Sequence, residues 1–183
     1  MIKKILISFG VLLLIGVGAA LYMNHQNRTL SPPDEQRITT HAGLNVRISY
    51  SRPSVRGRMI FGPLEHEALQ PYGQYWRLGA NEATVIEFDK PVVVAGNKLA
   101  PGTYGVYAVP GPDSFKIGFN TTWDRWGYSE PDYDQDVASF MVPVEKHDHV
   151  EQFTIQLGET ADGIRMICEW DDIRFVIPIK EAQ

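Results

Sequence analysis

The chain has 183 residues, with 44% apolar, 11% aromatic and only 21% charged side chains; this is the composition of a foldable globular domain, and the length suits one domain. Lys3, Lys4 and Arg28 are the only charged residues before position 34, which leaves 14 of the 17 basic residues and all 22 acidic ones from that position on. An acidic surplus of this size repels nucleic acid and anionic lipid, so no nucleic-acid partner is expected.

Ile5 to Met23 form a run of 19 residues whose only polar side chains are Ser8 and Tyr22. As a helix rising about 1.5 Å per residue it matches a hydrocarbon core of about 30 Å. Lys3 and Lys4 ahead of it belong on the cytoplasmic side, which puts the rest of the chain on the extracytoplasmic face, periplasmic or extracellular. Residues 1–23 therefore read as a transmembrane anchor or a signal peptide. Gly18-Ala19-Ala20 offers a cleavage site that would release a secreted form, but the run is longer than a signal peptide's apolar region, which favours a retained anchor. Residues 24–41, with Ser31-Pro32-Pro33, read as a stiff linker that lifts the domain off the membrane.

Residues 42–180 read as an all-β domain. Alternation of period two recurs, with turn residues between the runs, at Val46–Tyr50, Thr84–Phe88, Val92–Ala95, Thr103–Val109, Ser114–Asn120, Val137–Val144, Phe153–Leu157, Ile164–Trp170 and Ile173–Ile179. Asp162-Gly163 predicts a hairpin turn, Asp171-Asp172 a further turn, and Pro178 an edge position for the last strand. About nine short strands predict an antiparallel β-sandwich or open barrel behind one N-terminal hydrophobic helix. Cys168 is the single cysteine and shares a strand face with Ile164, Met166 and Trp170. It excludes an internal disulfide and an N-terminal lipidated cysteine, and reads as a buried apolar residue.

Three stretches carry more polar and aromatic residues than such a domain needs. Tyr50–Gly62 holds Arg52, Arg56 and Arg58, whose planar guanidinium groups suit a carboxylate, phosphate or sugar acid. In Pro71–Thr84, Arg77, Asn81 and Glu82 stand beside Trp76. A buried Arg77–Glu82 pair bridged by Asn81 would supply an acid, a base and a charge stabiliser; the alternative is a polar network bracing a loop, with Trp76 in the core.

The residues Trp76-Arg77-x-Gly79-Ala80-Asn81-Glu82-Ala83-Thr84, with Ser51-Arg52-Pro53-Ser54, Pro101-Gly102-Thr103-Tyr104 and Trp123-Asp-x-Trp126-Gly127, closely resemble the bacterial domain-of-unknown-function family numbered 2911. The resemblance spans about residues 42–180. It implies an exported β-rich domain and assigns no activity.

The third stretch, Trp123–Asp136, places Trp123, Asp124, Arg125 and Trp126 together, as carbohydrate recognition uses aromatic faces beside hydrogen-bonding groups. Asp132, Asp134 and Asp136 have the spacing that opens an EF-hand, but Val137 replaces its glycine and Pro143 its closing glutamate. His147 and His149 share a side of an extended chain, but no third ligand is identifiable, and two ligands alone do not specify a metal site. No nucleophile elbow, phosphate loop or dinucleotide fingerprint occurs, and no cofactor is expected.

Three functions fit these features. The first is an anchored module binding a small polar or carbohydrate ligand through Arg52, Trp76, Trp123, Asp124, Arg125 and Trp126. The second is a hydrolase or lyase using Glu82 with Arg77 and Asn81, and the third is an assembly domain.

Overall fold

The computed structural model describes residues 2–182, with side chains from Phe9 onward. Helix α1 (Ile2–Leu30) carries no acid in its first turn, and its stretch Phe9–Leu30 is long and apolar enough to cross a membrane, with none of the apolar window buried against the rest of the protein. Helices that are apolar all round are those that face lipid or a core. The expected span begins at Ile5, before the described side chains, and Lys3 and Lys4 also lie outside them.

The expected linker over 24–41 is corrected by the structure. The helix continues to Leu30, and β1 (Pro33–Thr39) pairs antiparallel with β2 (Asn45–Ser51) from Pro33↔Ser51 to Thr39↔Asn45. The half-buried positions of β1 are Asp34, Gln36 and Ile38, only one of them apolar, so no alternation betrays this edge strand. Asp34 faces inward because it accepts a hydrogen bond from the Tyr50 hydroxyl at 3.1 Å and pairs with Arg52 at 3.6 Å.

Further along lie β3 (Phe61–Gly62), β4 (Gln70–Pro71), β5 (Thr84–Phe88), β6 (Val92–Val94), β7 (Asn97–Leu99), β8 (Gly102–Val109), β9 (Ser114–Asn120), β10 (Asp136–Pro143), β11 (Glu145–Thr160) and β12 (Gly163–Glu181). Six strands form one antiparallel sheet in the order β1-β2-β5-β8-β9-β10, four form a second in the order β11-β12-β6-β7, and β3 and β4 make a short parallel pair. No closed barrel forms among the described residues; the architecture is a mostly β sandwich, as the alternation implies.

The C-terminal third differs in detail from the sequence expectation. The β11–β12 hairpin closes at Thr160↔Gly163, and β12 runs on through Asp171-Asp172 instead of turning back. Asp171 adopts a φ of 56° where the register slips between Lys146 and Val150; a bulge re-aims the strand without ending it, and aspartate tolerates the left-handed region. Strand β12 is therefore internal to its sheet. Pro178 is tolerated because it falls between the two ladders, past the last β11 pair at Arg174 and before the first β6 pair at Ile179.

Alternate residues of both sheets meet in one core. At its centre Trp76 stacks on Trp170 with ring centroids 5.7 Å apart and an interplanar angle of 25°, and Phe61, Phe115 and Phe153 pack edge-on around them. Cys168 is buried there, and burial pushes its thiol well above the usual range, as for an inert apolar residue.

Two outcomes follow from this packing. Trp76→Ala should cost about 3–5 kcal/mol in chemical denaturation, the range for aromatic deletions in cores; a loss under about 1 kcal/mol would contradict the core position. His149 is raised above its ordinary value of 6.5 chiefly by its hydrogen bond to Asp171, helped by Glu151. A raised histidine stabilises the fold below its unfolded value and loses that contribution as pH climbs through its folded value. The Tm advantage of the native chain over His149→Gln should therefore be present near about pH 5.5 and fade by about pH 8.

Candidate functional site

The outer face of β8 and β9 is covered rather than exposed, and this builds the site. Gly118 leaves room for the Tyr107 ring, since a Cβ there would overlap it, and a Cβ at Gly105 would lie 3.2 Å from the Thr122 carbonyl. The chain after β9 thus folds back over the sheet. Buried Asn120 holds it by donating to the Asp132 carbonyl at 2.8 Å and to Asp136 at 2.7 Å, while Tyr107 donates to the same Asp136 carboxylate at 2.5 Å.

The segment before β5 is fixed from its Trp76 end. Trp76 and Ala108 exchange two backbone hydrogen bonds of 2.8 Å, and the Trp76 indole N–H donates to the Gly79 carbonyl at 3.2 Å. Leu78 and Asn81 then take φ values of 54° and 59°, a conformation strained for leucine and tolerated by asparagine. The Thr84 hydroxyl closes the turn by donating to the Leu78 carbonyl at 2.6 Å.

The two loops lock together through Gly127. A Cβ there would come within 2.6 Å of the Asn81 carbonyl and 2.7 Å of the Arg77 side chain. Glu82 and Trp126 form a backbone bridge alongside, and the Tyr75 hydroxyl donates to the Gly127 carbonyl at 3.0 Å.

The structure separates several residues that the sequence groups. Trp76, expected to contact ligand, is only 1% exposed and belongs to the core. Arg52 is committed to structure: it donates to the Phe153 carbonyl and the Thr154 hydroxyl at 3.1 and 2.9 Å and pairs with Asp34. The expected Arg77–Glu82 pair does not form among the described residues. Glu82 instead pairs with Arg28 of α1 at 2.7 Å, both about half exposed, while Arg77 donates to the Asn81 carbonyl at 3.2 Å and lies over the Tyr128 ring. Trp123 is exposed, and Asp124 also points to solvent.

The metal candidates are dispersed likewise. Asp132 caps a short 3-10 turn by accepting from the Asp134 amide, and Asp136 is occupied by Asn120 and Tyr107. His147 faces Glu169 at 3.5 Å, whereas His149 faces Asp171 and Glu151. Among the described residues no three His, Cys, Asp or Glu side chains converge as a cation would require.

What does converge is a cavity of about 370 Å³ lined by Asn27 and Ser31 at the end of α1, by Arg58, Leu69, Arg77, Asn81, Trp126 and Tyr128, and by the edge of Trp170. No acidic residue lines it. Burial lowers the Arg77 guanidinium below its ordinary value, opposed by Tyr75 and Tyr128 and reinforced by Arg125. Arg125 donates to the Tyr75 hydroxyl at 2.6 Å but keeps two buried nitrogens without acceptors, and the buried Trp170 indole N–H lacks one too. Arg58, Arg77 and Arg125 form no ion pair among the described residues. Burial raises Tyr75 above the usual phenol range, so it stays neutral beside both arginines.

Of these residues Arg77, Asn81 and Trp126 are expected from sequence, and Arg58 is noted for its guanidinium. Tyr128 and Trp170 are not expected, although Tyr128 lies inside the aromatic stretch that is. The Trp170 contribution depends on the hairpin fold and leaves no local signal.

No curated protein and no solved structure matches the chain. The model of a family described as protein of unknown function, DUF2911, matches residues 31–179, taking in β1 and both interlocked loops, and the chain belongs to that family.

Proposed function

We propose that the protein is a membrane-tethered binding module whose cavity beside the end of α1 takes a small polar ligand bearing a carboxylate or phosphate, such as a sugar acid or sugar phosphate. Arg77 carries this reading. It is a partly buried guanidinium held by a backbone carbonyl and an aromatic face, and it forms no ion pair among the described residues. A desolvated, uncompensated cation costs stability unless an anion partners it. Arg58, which donates to the Val55 and Ser54 carbonyls at 3.1 and 2.6 Å and has no acidic partner among the described residues, brings a second cation to the cavity wall, and Trp126 and Tyr128 offer faces on which a sugar ring stacks. The cavity volume falls within the range of small-molecule sites.

The apolar helix supports retention as an anchor, because the run from Ile5 to Met23 exceeds a signal peptide's apolar region and α1 continues unbroken past Gly18-Ala19-Ala20. In this reading the β domain faces the extracytoplasmic side. Catalysis by Glu82 gains no support from the arrangement, since its carboxylate turns to Arg28 and away from Arg77.

Calorimetric titration of the full chain in detergent with glucuronate and glycerol 3-phosphate, against neutral glucose, tests the reading. Both anions should bind and glucose should not. Arg77→Gln should weaken the anions by about tenfold to a hundredfold, the worth of a charge-assisted hydrogen bond, without lowering Tm. Unchanged anion binding in Arg77→Gln, or equal binding of glucose and glucuronate, would overturn it.

A further inference from the structure

The position of the cavity along α1 narrows the ligand further. The carbonyls of Asn27 and Ser31 accept from the Asn81 side chain at 3.4 and 3.2 Å, Arg56 donates to the Leu30 carbonyl at 3.2 Å, and Arg28 pairs with Glu82. The end of α1 therefore contacts the domain beside the cavity. Met23 is the last residue of the apolar run. Asn27 lies four residues on, or about 6 Å along the axis. The headgroup layer on each side of a bilayer is about 5–7 Å deep. A helix that buries Ile5–Met23 in hydrocarbon thus sets Asn27, Asn81 and the cavity mouth at headgroup level.

The surface there has interfacial chemistry. Met59, Leu69, Trp126 and Tyr128 are exposed apolar or aromatic residues, and the last three line the cavity, while the Leu69 amide donates to the Met59 carbonyl at 3.0 Å. Exposed rings of this kind mark the level of the membrane–water boundary. Around them stand Arg56, Arg58 and Arg77. Three acids near them are engaged: Glu82 with Arg28, Glu151 with the Arg56 amide and His149, and Glu130, which shares a neighbouring hollow with Arg77 and Tyr128, with the Tyr133 hydroxyl. The acidic surplus elsewhere on the domain does not cancel this basic rim, because charges more than about 8–10 Å apart are screened at physiological salt.

Resting on the binding-module reading, we propose that the ligand is the phosphate of an anionic phospholipid in the membrane that α1 spans. Arg58 and Arg77 grip the phosphate, and Trp126 and Tyr128 lie among the headgroups. Arg77 gives Nη1 to the Asn81 carbonyl, which leaves its Nε–Nη2 edge to present paired donors to two phosphate oxygens, while Arg58, whose Nε and Nη2 donate to the Val55 and Ser54 carbonyls, adds its charge and its Nη1 donors. The domain then sits directly on the membrane surface, anchored by its helix and oriented by captured lipid.

The test uses the full chain in nanodiscs carrying a nitroxide headgroup at equal density on either phosphatidylglycerol or phosphatidylcholine. Quenching of Trp126 is the difference between the native chain and Trp126→Phe. Quenching by labelled phosphatidylglycerol should exceed that by phosphatidylcholine at least twofold. The excess should shrink in Arg58→Gln, a surface change that leaves the core intact, and vanish in Arg58→Gln with Arg77→Gln. Equal quenching from the two lipids, or an excess that survives the double substitution, would overturn the proposal. Equal quenching while glycerol 3-phosphate still binds removes only the lipid assignment; loss of both signals removes the binding-module reading as well.

Discussion

The stack of Trp76 on Trp170 is the contact from which the rest of the molecule is organised. It joins the segment before β5 to the middle of β12, and so couples one sheet to the other at the centre of the core. Because Trp76 also exchanges two backbone hydrogen bonds with Ala108, the chain around it is extended, and neighbours in an extended chain point to opposite sides. Burial of Trp76 therefore sends Arg77 the other way, under Tyr128 and against the second loop. The left-handed conformations at Leu78 and Asn81 then bring the chain round to Thr84 within a few residues. Core packing on one side of this segment thus presents a cation on the other.

The electrostatics of the two ends of the six-stranded sheet differ in kind. Across β1, β2 and β5 the charges are matched: Glu35 accepts from Arg37 at 2.6 Å, Arg47 bonds Glu87 directly opposite it in register, and the hydrogen bond from Arg37 lowers the Glu35 carboxyl below its ordinary value. These are solvated pairs of small individual worth. At the end where α1 joins, Arg58, Arg77 and Arg125 lack such partners, two of them at least partly desolvated, although the protein as a whole is acidic. A stable fold tolerates that imbalance most readily where a ligand completes it.

Much of the fold was legible in the sequence because alternation reports burial on one face. Thr84–Phe88 and Ser114–Asn120 lie where the pattern puts them. Alternation fails where a strand's inward positions are polar, as with Asp34 and Gln36 in β1, and where a bulge carries a strand past turn residues, as at Asp171. The site was legible only in part. Trp76, Arg77, Asn81 and Glu82 are adjacent in sequence, yet they divide among the core, the cavity and a pair with α1, since side-chain direction depends on φ values that composition does not reveal. Gly127 illustrates the point: a glycine in an aromatic loop looks like a turn residue, but it is the place where one loop presses on another.

In the proposed binding module, Arg77 is a cation held ready for an anion by a core contact on its far side. Side-chain nitrogen resonances of the arginines, with Arg77 assigned by its loss in Arg77→Gln, test this most directly when inorganic phosphate is added to the full chain. The Arg77 guanidinium should shift and saturate while Arg47, already paired with Glu87, stays in place. An unmoved Arg77, or a uniform drift of all the arginines, would contradict it.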